Sequence, residues 1–124
     1  MKTQTVVRTP TIPFTDKQAY LVHENLLYRI HAPIIFIGRH PNNNLILTYP
    51  TISRFHARIK IEDGRFFLYD YGSKYGTFVN GEQITRQELK SGDVITLSDI
   101  DILFVDESKG PLSDLEKSTG ELKE

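Results

Sequence analysis

The feature that most constrains this chain is its rhythm of turn residues. Asp63-Gly64 separates HARIKIE (56–62) from RFFLYDY (65–71), Asn80-Gly81 closes TFVN (77–80), and Glu24-Asn25 stands between AYLVH (19–23) and LLYRI (26–30). Asx-Gly pairs readily take the positive backbone angles of a two-residue hairpin loop, so each pins its flanking segments antiparallel and in register. IIFIG (34–38), LILT (45–48), VITLS (94–98) and DILFVDE (101–107), with the turn KSGD (90–93), extend the series. Strands therefore recur about every 8 to 12 residues, the pattern of a sandwich or barrel, and no stretch has the period of an amphipathic helix long enough to compete.

Within HARIKIE the period is two. Ala57, Ile59 and Ile61 fall on one face and Arg58, Lys60 and Glu62 on the other, a strand with one dry and one wet side. IIFIG is uninterrupted and reads as a buried strand; Phe36, Phe67, Tyr69 and Phe104 read as core. These elements predict an all-β domain over 18–107. Residues 1–17, rich in Thr with Pro10 and Pro13, read as a flexible tail, and the polar stretch 108–124 as a second one with a short helix near 112–118.

Composition narrows the chemistry. Fifteen basic side chains face sixteen acidic ones, a formal charge of -1, so no global field recruits nucleic acid or an acidic membrane surface. An anion site must come from local clustering. The absence of cysteine excludes disulfides, thiolate catalysis and cysteine-zinc sites. His23, His31, His40 and His56 form no HExxH pair, so neither metal nor other cofactor is expected. No apolar run approaches the roughly 18 residues of a membrane helix or resembles a signal peptide; a cytoplasmic protein is expected, the nucleus remaining open as well. Ser53, His56 and Asp70 could be written as a triad, but no G-x-S-x-G elbow surrounds Ser53. The chain reads as a non-enzyme.

What remains is a set of basic and hydroxyl residues in loops beside strands. Arg39 ends IIFIG; Ser53 and Arg54 precede HARIKIE; Ser73, Lys74 and Thr77 lie in or beside the loop GSKYGT. Loops at one end of a β-sandwich converge in space. Two Arg, a Lys and a hydroxyl brought together there would cup a tetrahedral dianion, a task for which the planar guanidinium fork is suited.

Gly38-Arg39, then Ser53-Arg54-Phe55-His56-Ala57, then Gly76-Thr77-Phe78-Val79-Asn80-Gly81 resemble, in order and spacing, the G-R…S-R-x-H…N-G-T-x-V-N-G pattern of the Forkhead-associated (FHA) family, and Leu89…Gly92-Asp93-Val94-Ile95 extends the likeness, which spans about residues 19–106. The resemblance implies a β-sandwich of two antiparallel or mixed sheets that binds phosphothreonine, with Arg39 and Ser53 on the phosphate and Arg54 and Lys74 as further donors. His56 would brace the loop, while Gly38, Gly76 and Asn80-Gly81 would be architectural. Ser73, Tyr75 and Thr77 are candidate peptide contacts. Tyr75 replaces the Asn that commonly grips the ligand main chain, and it lacks a carboxamide's paired donor and acceptor.

The implied partners are a Thr-phosphorylated protein and an upstream Ser/Thr kinase. Thr9, with Ile12 three positions on, is a candidate phosphosite by which the tail could fill the protein's own pocket. The alternative reading is a phosphate-independent interaction scaffold whose pocket degenerated when Tyr75 replaced Asn.

Overall fold

The computed structural model describes residues 18–107. Both tails, Thr9 and the helix expected near 112–118 lie outside the described residues.

Eleven strands run in chain order through the described residues: β1 (Ala19–His23), β2 (Leu26–Arg29), β3 (Ile34–Gly38), β4 (Leu45–Ile46), β5 (Ala57–Glu62), β6 (Arg65–Asp70), β7 (Thr77–Val79), β8 (Glu82–Gln83), β9 (Arg86–Glu88), β10 (Val94–Leu97) and β11 (Ile100–Asp106). They form two sheets, ordered β2-β1-β11-β10-β7-β8 and β4-β3-β5-β6-β9. All the neighbouring strands whose registers are resolved pair antiparallel except β3 and β4. The expected all-β sandwich is what forms.

The turns behave as their residues require. Asp63 and Gly64 have φ of 53° and 75°, and Asn80 and Gly81 have 50° and 86°, the left-handed pairs of tight hairpins. A further two-residue loop, Ser98-Asp99, joins β10 to β11 with Ser98 at φ 62°. Neither of its residues is glycine, so the loop carries no Asx-Gly signal.

The core lies between the sheets. Leu21, Tyr28, Ile35, Ile37, Ile59, Leu68, Ile95, Leu97 and Ile102 are buried in one cluster with Phe66 and Phe104. The Phe66 and Phe104 rings meet edge to face, centroids 5.3 Å apart, and fasten β6 of one sheet to β11 of the other.

Three sequence expectations need correction. The IIFIG strand is not buried throughout: Ile35 and Ile37 are inside, while Ile34 is exposed and Phe36 faces outward. Phe67 is buried as expected, but like half-buried Tyr69 it lies on the outer face and not between the sheets; Arg86 lies 4.2 Å from the Phe67 ring and Arg58 lies 5.0 Å from the Tyr69 ring. Period two puts them opposite Phe66 and Leu68, and cations covering the rings replace a hydrophobic partner. Finally, β4 is only two residues long, and the polar strands β8 and β9 carry no apolar signal by which to find them.

Phe104→Ala is expected to cost about 3–5 kcal/mol, through lost transfer free energy and an unfilled cavity. Its neighbour Leu103 faces solvent, and Leu103→Ala should cost under about 1 kcal/mol. Urea unfolding of both variants checks the inward and outward assignment along β11.

Candidate functional site

Register fixes which loops share an end of the molecule. Ile37 on β3 pairs with Ala57 at the start of β5, and Ala57 pairs with Asp70 at the end of β6. In the facing sheet Thr77, at the start of β7, pairs with Leu97 at the end of β10. Segments 39–44, 47–56 and 71–76 therefore emerge together.

Beyond β3 the backbone continues against the 53–54 segment. The Arg39 amide donates to Ser53 O and the His40 amide to Arg54 O, each at 3.0 Å. This approach is so close that a Cβ on Gly38 would stand 2.2 Å from Arg54 O, which is why only glycine fits. Asn43, almost fully buried, locks the same pair of loops: its Nδ2 donates to His40 O at 2.8 Å and to Arg54 O at 2.7 Å.

His56 joins this pair to the third loop. Its ring is fully buried; Nδ1 accepts the Ser53 amide at 3.0 Å, and Nε2 donates to Gly76 O at 2.9 Å. These two bonds require the neutral Nε2-protonated ring. Burial drives its pKa below the ordinary 6.5, against the opposing pull of the Gly76 carbonyl and the Asp70 charge.

Asp70 organises the third loop from below. Its Oδ1 accepts the hydroxyls of Ser73 at 2.5 Å and Thr77 at 2.6 Å, and its Oδ2 accepts the amides of Gly72 and Ser73 at 3.0 and 3.2 Å. Burial raises the carboxyl's pKa, but these four donors outweigh it and hold the group below its usual value.

On this frame sit the expected site residues. The Ser53 Oγ accepts the Lys74 amide at 3.0 Å, and its own proton has no acceptor among the described residues. Arg39 spends Nε on Ile52 O at 2.9 Å, leaving its two terminal nitrogens uncommitted. Lys74 Nζ lies 5.2 Å from the centre of the exposed Tyr75 ring. Elsewhere Lys60, Arg65, Arg86 and Lys90 are each paired with Glu62 or Glu88 at 3.1–3.6 Å. Arg39, Arg54 and Lys74 have no acidic partner among the described residues.

Two clefts meet at Arg39 and Ser53. The smaller, about 180 Å³, is also lined by Pro50, Thr51, Ile52, Lys74 and Tyr75. The larger and more open, about 410 Å³, adds Arg54, Phe55 and Tyr71. Arg54 and Lys74 thus each line one of the two clefts that share Arg39 and Ser53.

The structure departs from the sequence reading at two peptide-contact candidates, Thr77 and Ser73, and it also lacks the triad geometry that the sequence had set aside. Thr77 is fully buried with its hydroxyl on Asp70, beyond a ligand's reach. The Ser73 hydroxyl is used twice internally, donating to Asp70 and accepting the Gly76 amide at 3.0 Å. The triad arrangement is absent: His56 holds the Ser53 backbone amide, and the Ser53 Oγ faces Lys74 N instead. Asn80 is architectural, accepting the Val94 amide and donating to Asp93, both at 2.9 Å. Sequence reasoning missed Asn43, indistinguishable within PNNN, and assigned no loop-shaping part to Asp70, although an Asp two residues before Gly72 can accept the amides that follow it as in an Asx-turn.

The chain is similar in sequence and fold to known proteins. The model of the FHA domain family matches residues 35–98. The glycogen accumulation regulator GarA of Mycolicibacterium smegmatis is 34% identical over 87 residues, covering 70% of this chain and 53% of that protein. The chain spans about half the length of the curated relatives it matches. Among solved structures, one from an analysis of phosphothreonine-dependent FHA domain interactions superposes with a TM-score of 0.68 at 26% identity, covering 71% of this chain and 95% of its own. Mycobacterium tuberculosis EmbR in complex with a low affinity phosphopeptide superposes at 0.69 and 30% identity, covering 71% and 24%.

Two outcomes are expected. Gly38→Ala should displace the 53–54 backbone and destabilise the domain by about 1–3 kcal/mol, measured by chemical unfolding. Because His56 has a depressed pKa in the fold, the unfolded chain takes up the proton first as pH drops. The stability His56 contributes is complete above about 6.5 and shrinks as pH falls from there through the folded value. Asp70 loses its contribution only below its ordinary 3.8, a separate window. Urea unfolding across pH 7.5 to 5 should show the decline in wild type and a shallower one in His56→Gln.

Proposed function

The chain belongs to the FHA domain family, and on that premise we propose that it is a phosphothreonine-binding adaptor that reads the output of a Ser/Thr kinase without catalysis of its own. One observation carries this reading: three cations with no acidic partner among the described residues border a hydroxyl whose proton is unclaimed. A phosphothreonine dianion supplies the missing acceptors. Arg39 would give two parallel N–H bonds from its terminal nitrogens, Ser53 its O–H, and Arg54 and Lys74 would close in from either side. Each charge-assisted bond contributes on the order of 1.5–3 kcal/mol. A missing threonine methyl costs less, about 0.8 kcal/mol, so phosphate dominates affinity and methyl packing adds discrimination against phosphoserine.

The named relatives support a regulatory role, since one is called a glycogen accumulation regulator and others oxoglutarate dehydrogenase inhibitors. A cytoplasmic site of action suits such a role, and no helix among the described residues is long and apolar enough to cross a membrane. Tyr75 sets this chain apart: its ring carries the Lys74 ammonium, so it packs beside the bound peptide and holds Lys74 instead of gripping main chain. The alternative, a phosphate-independent scaffold with a degenerate pocket, is weaker because Tyr75 neutralises none of the three cations, which keep no acidic partner among the described residues.

A second reading follows from the tail. Phosphorylated Thr9, with Ile12 three positions beyond, would occupy the cup and shut out other ligands. Mass spectrometry of protein from its native source checks it, and unmodified residues 3–11 would remove it.

Calorimetric titration with degenerate phosphothreonine, phosphoserine and unphosphorylated peptide pools tests the main proposal. Micromolar binding of the phosphothreonine pool alone is expected, weakened at least about tenfold in Arg39→Ala. Equal binding by that variant, or binding regardless of phosphate, would return the scaffold reading.

A further inference from the structure

The larger cleft has a wall that phosphate recognition does not use. Phe55 and Tyr71 are 37% and 50% exposed, uncommon for large rings side by side, and their centroids lie 6.5 Å apart. Neither is loose. Phe55 stacks on His40 at 4.9 Å with the planes 24° apart. Tyr71 rests edge-on against Phe36 at 6.4 Å, with the Arg58 guanidinium 5.7 Å from its ring centre. Their backbone is fixed too: Phe55 lies between Arg54, held by Asn43, and buried His56, while the Tyr71 amide donates to His56 O at 2.9 Å. Rigid, exposed aromatics beside a charged site have the anatomy of a binding hot spot, because little conformational freedom is lost when they are covered.

We infer that Phe55 and Tyr71 form a shelf for an aromatic side chain of the same segment that carries the phosphothreonine. This deepens the proposed function and rests on it. Continuity dictates the occupant: the shelf's cleft shares Arg39 and Ser53 with the smaller cleft, so a chain anchored by its phosphate there runs directly onto it. Charge narrows the chemistry. No carboxylate lines the cleft, and Arg39, Arg54 and Arg58 stand around it, so a basic side chain is repelled. An acidic one would turn to Arg54 and leave the rings bare. An aromatic ring covers the shelf by offset or edge contact and adds to phosphate binding without competing for the cations.

The experiment is a fluorescence anisotropy titration of phosphothreonine peptides. A Tyr or an Ala is fixed at each position within about four residues of the phosphothreonine, the reach of roughly 13 Å of extended chain. Tyr is expected to bind about five- to tenfold tighter than Ala at one or more positions. In Phe55→Ala/Tyr71→Ala the Ala peptides should bind as they do to wild type, and the Tyr preference should vanish. Thermal melting checks that the double variant is folded; Tyr71→Ala alone, at an exposed position, gives the same readout if it is not. Tyr and Ala binding equally to wild type, or a preference that survives in the folded variant, would overturn the shelf alone. If no phosphopeptide binds wild type, the phosphate cup falls and the shelf with it.

Discussion

The site depends on one buried imidazole. His56 takes the Ser53 amide on one nitrogen and gives a proton to the Gly76 carbonyl from the other. It thereby fixes the loop that carries Ser53 and Arg54 relative to the loop that carries Lys74 and Tyr75. Neither contact would survive as well with water as partner, because a mobile solvent molecule cannot hold two backbones at a set distance. Low local polarity strengthens both bonds and would make the loss of either costly. The Ser53 Oγ completes the link from the outside by accepting the Lys74 amide.

Around this bridge, charge is distributed unequally. On the outer face of the β4-β3-β5-β6-β9 sheet, Lys60, Arg65 and Arg86 are neutralised by Glu62 and Glu88 and rest on aromatic rings. The one buried-side carboxylate near the cup, Asp70, is surrounded by four donors from its own loop. It therefore shapes the loop while offering the cations at the rim no salt bridge. Around Arg39, Arg54 and Lys74 a near-neutral protein thus keeps a local excess of positive charge. Such an arrangement favours an anion that brings several acceptors at once, and it weakens with rising salt only as far as its exposed members are screened.

Much of this was legible beforehand. Period-two alternation and the Asp63-Gly64 and Asn80-Gly81 pairs located the main hairpins because those signals are local: a few residues settle the backbone angles. That Arg39, Ser53, Arg54 and Lys74 stand in loops next to strand ends was legible for the same reason, while their part in holding a phosphate is what we propose. Ser73 and Thr77 look equally suitable as letters, yet their hydroxyls turn inward to Asp70. Phe36, Phe67 and Tyr69 look like inner core, yet cross-strand register sets all three on the outer face, Phe36 against the Tyr71 ring and Phe67 and Tyr69 beneath cations. Asn43 gives no sign at all of being the amide that two distant carbonyls share.

The sequence by itself determined the class of fold, the positions of the tight turns, and which side chains had the chemistry to hold a phosphate. Those follow from steric limits on neighbouring residues and from functional groups that need no context. Only the tertiary structure decided which of those groups are spent inside and which remain open, how two clefts come to share Arg39 and Ser53, and where Phe55 and Tyr71 stand exposed beside them. The reason is that hydrogen-bond satisfaction and burial are settled between segments far apart in the chain, once the sheets have brought their loops to one end.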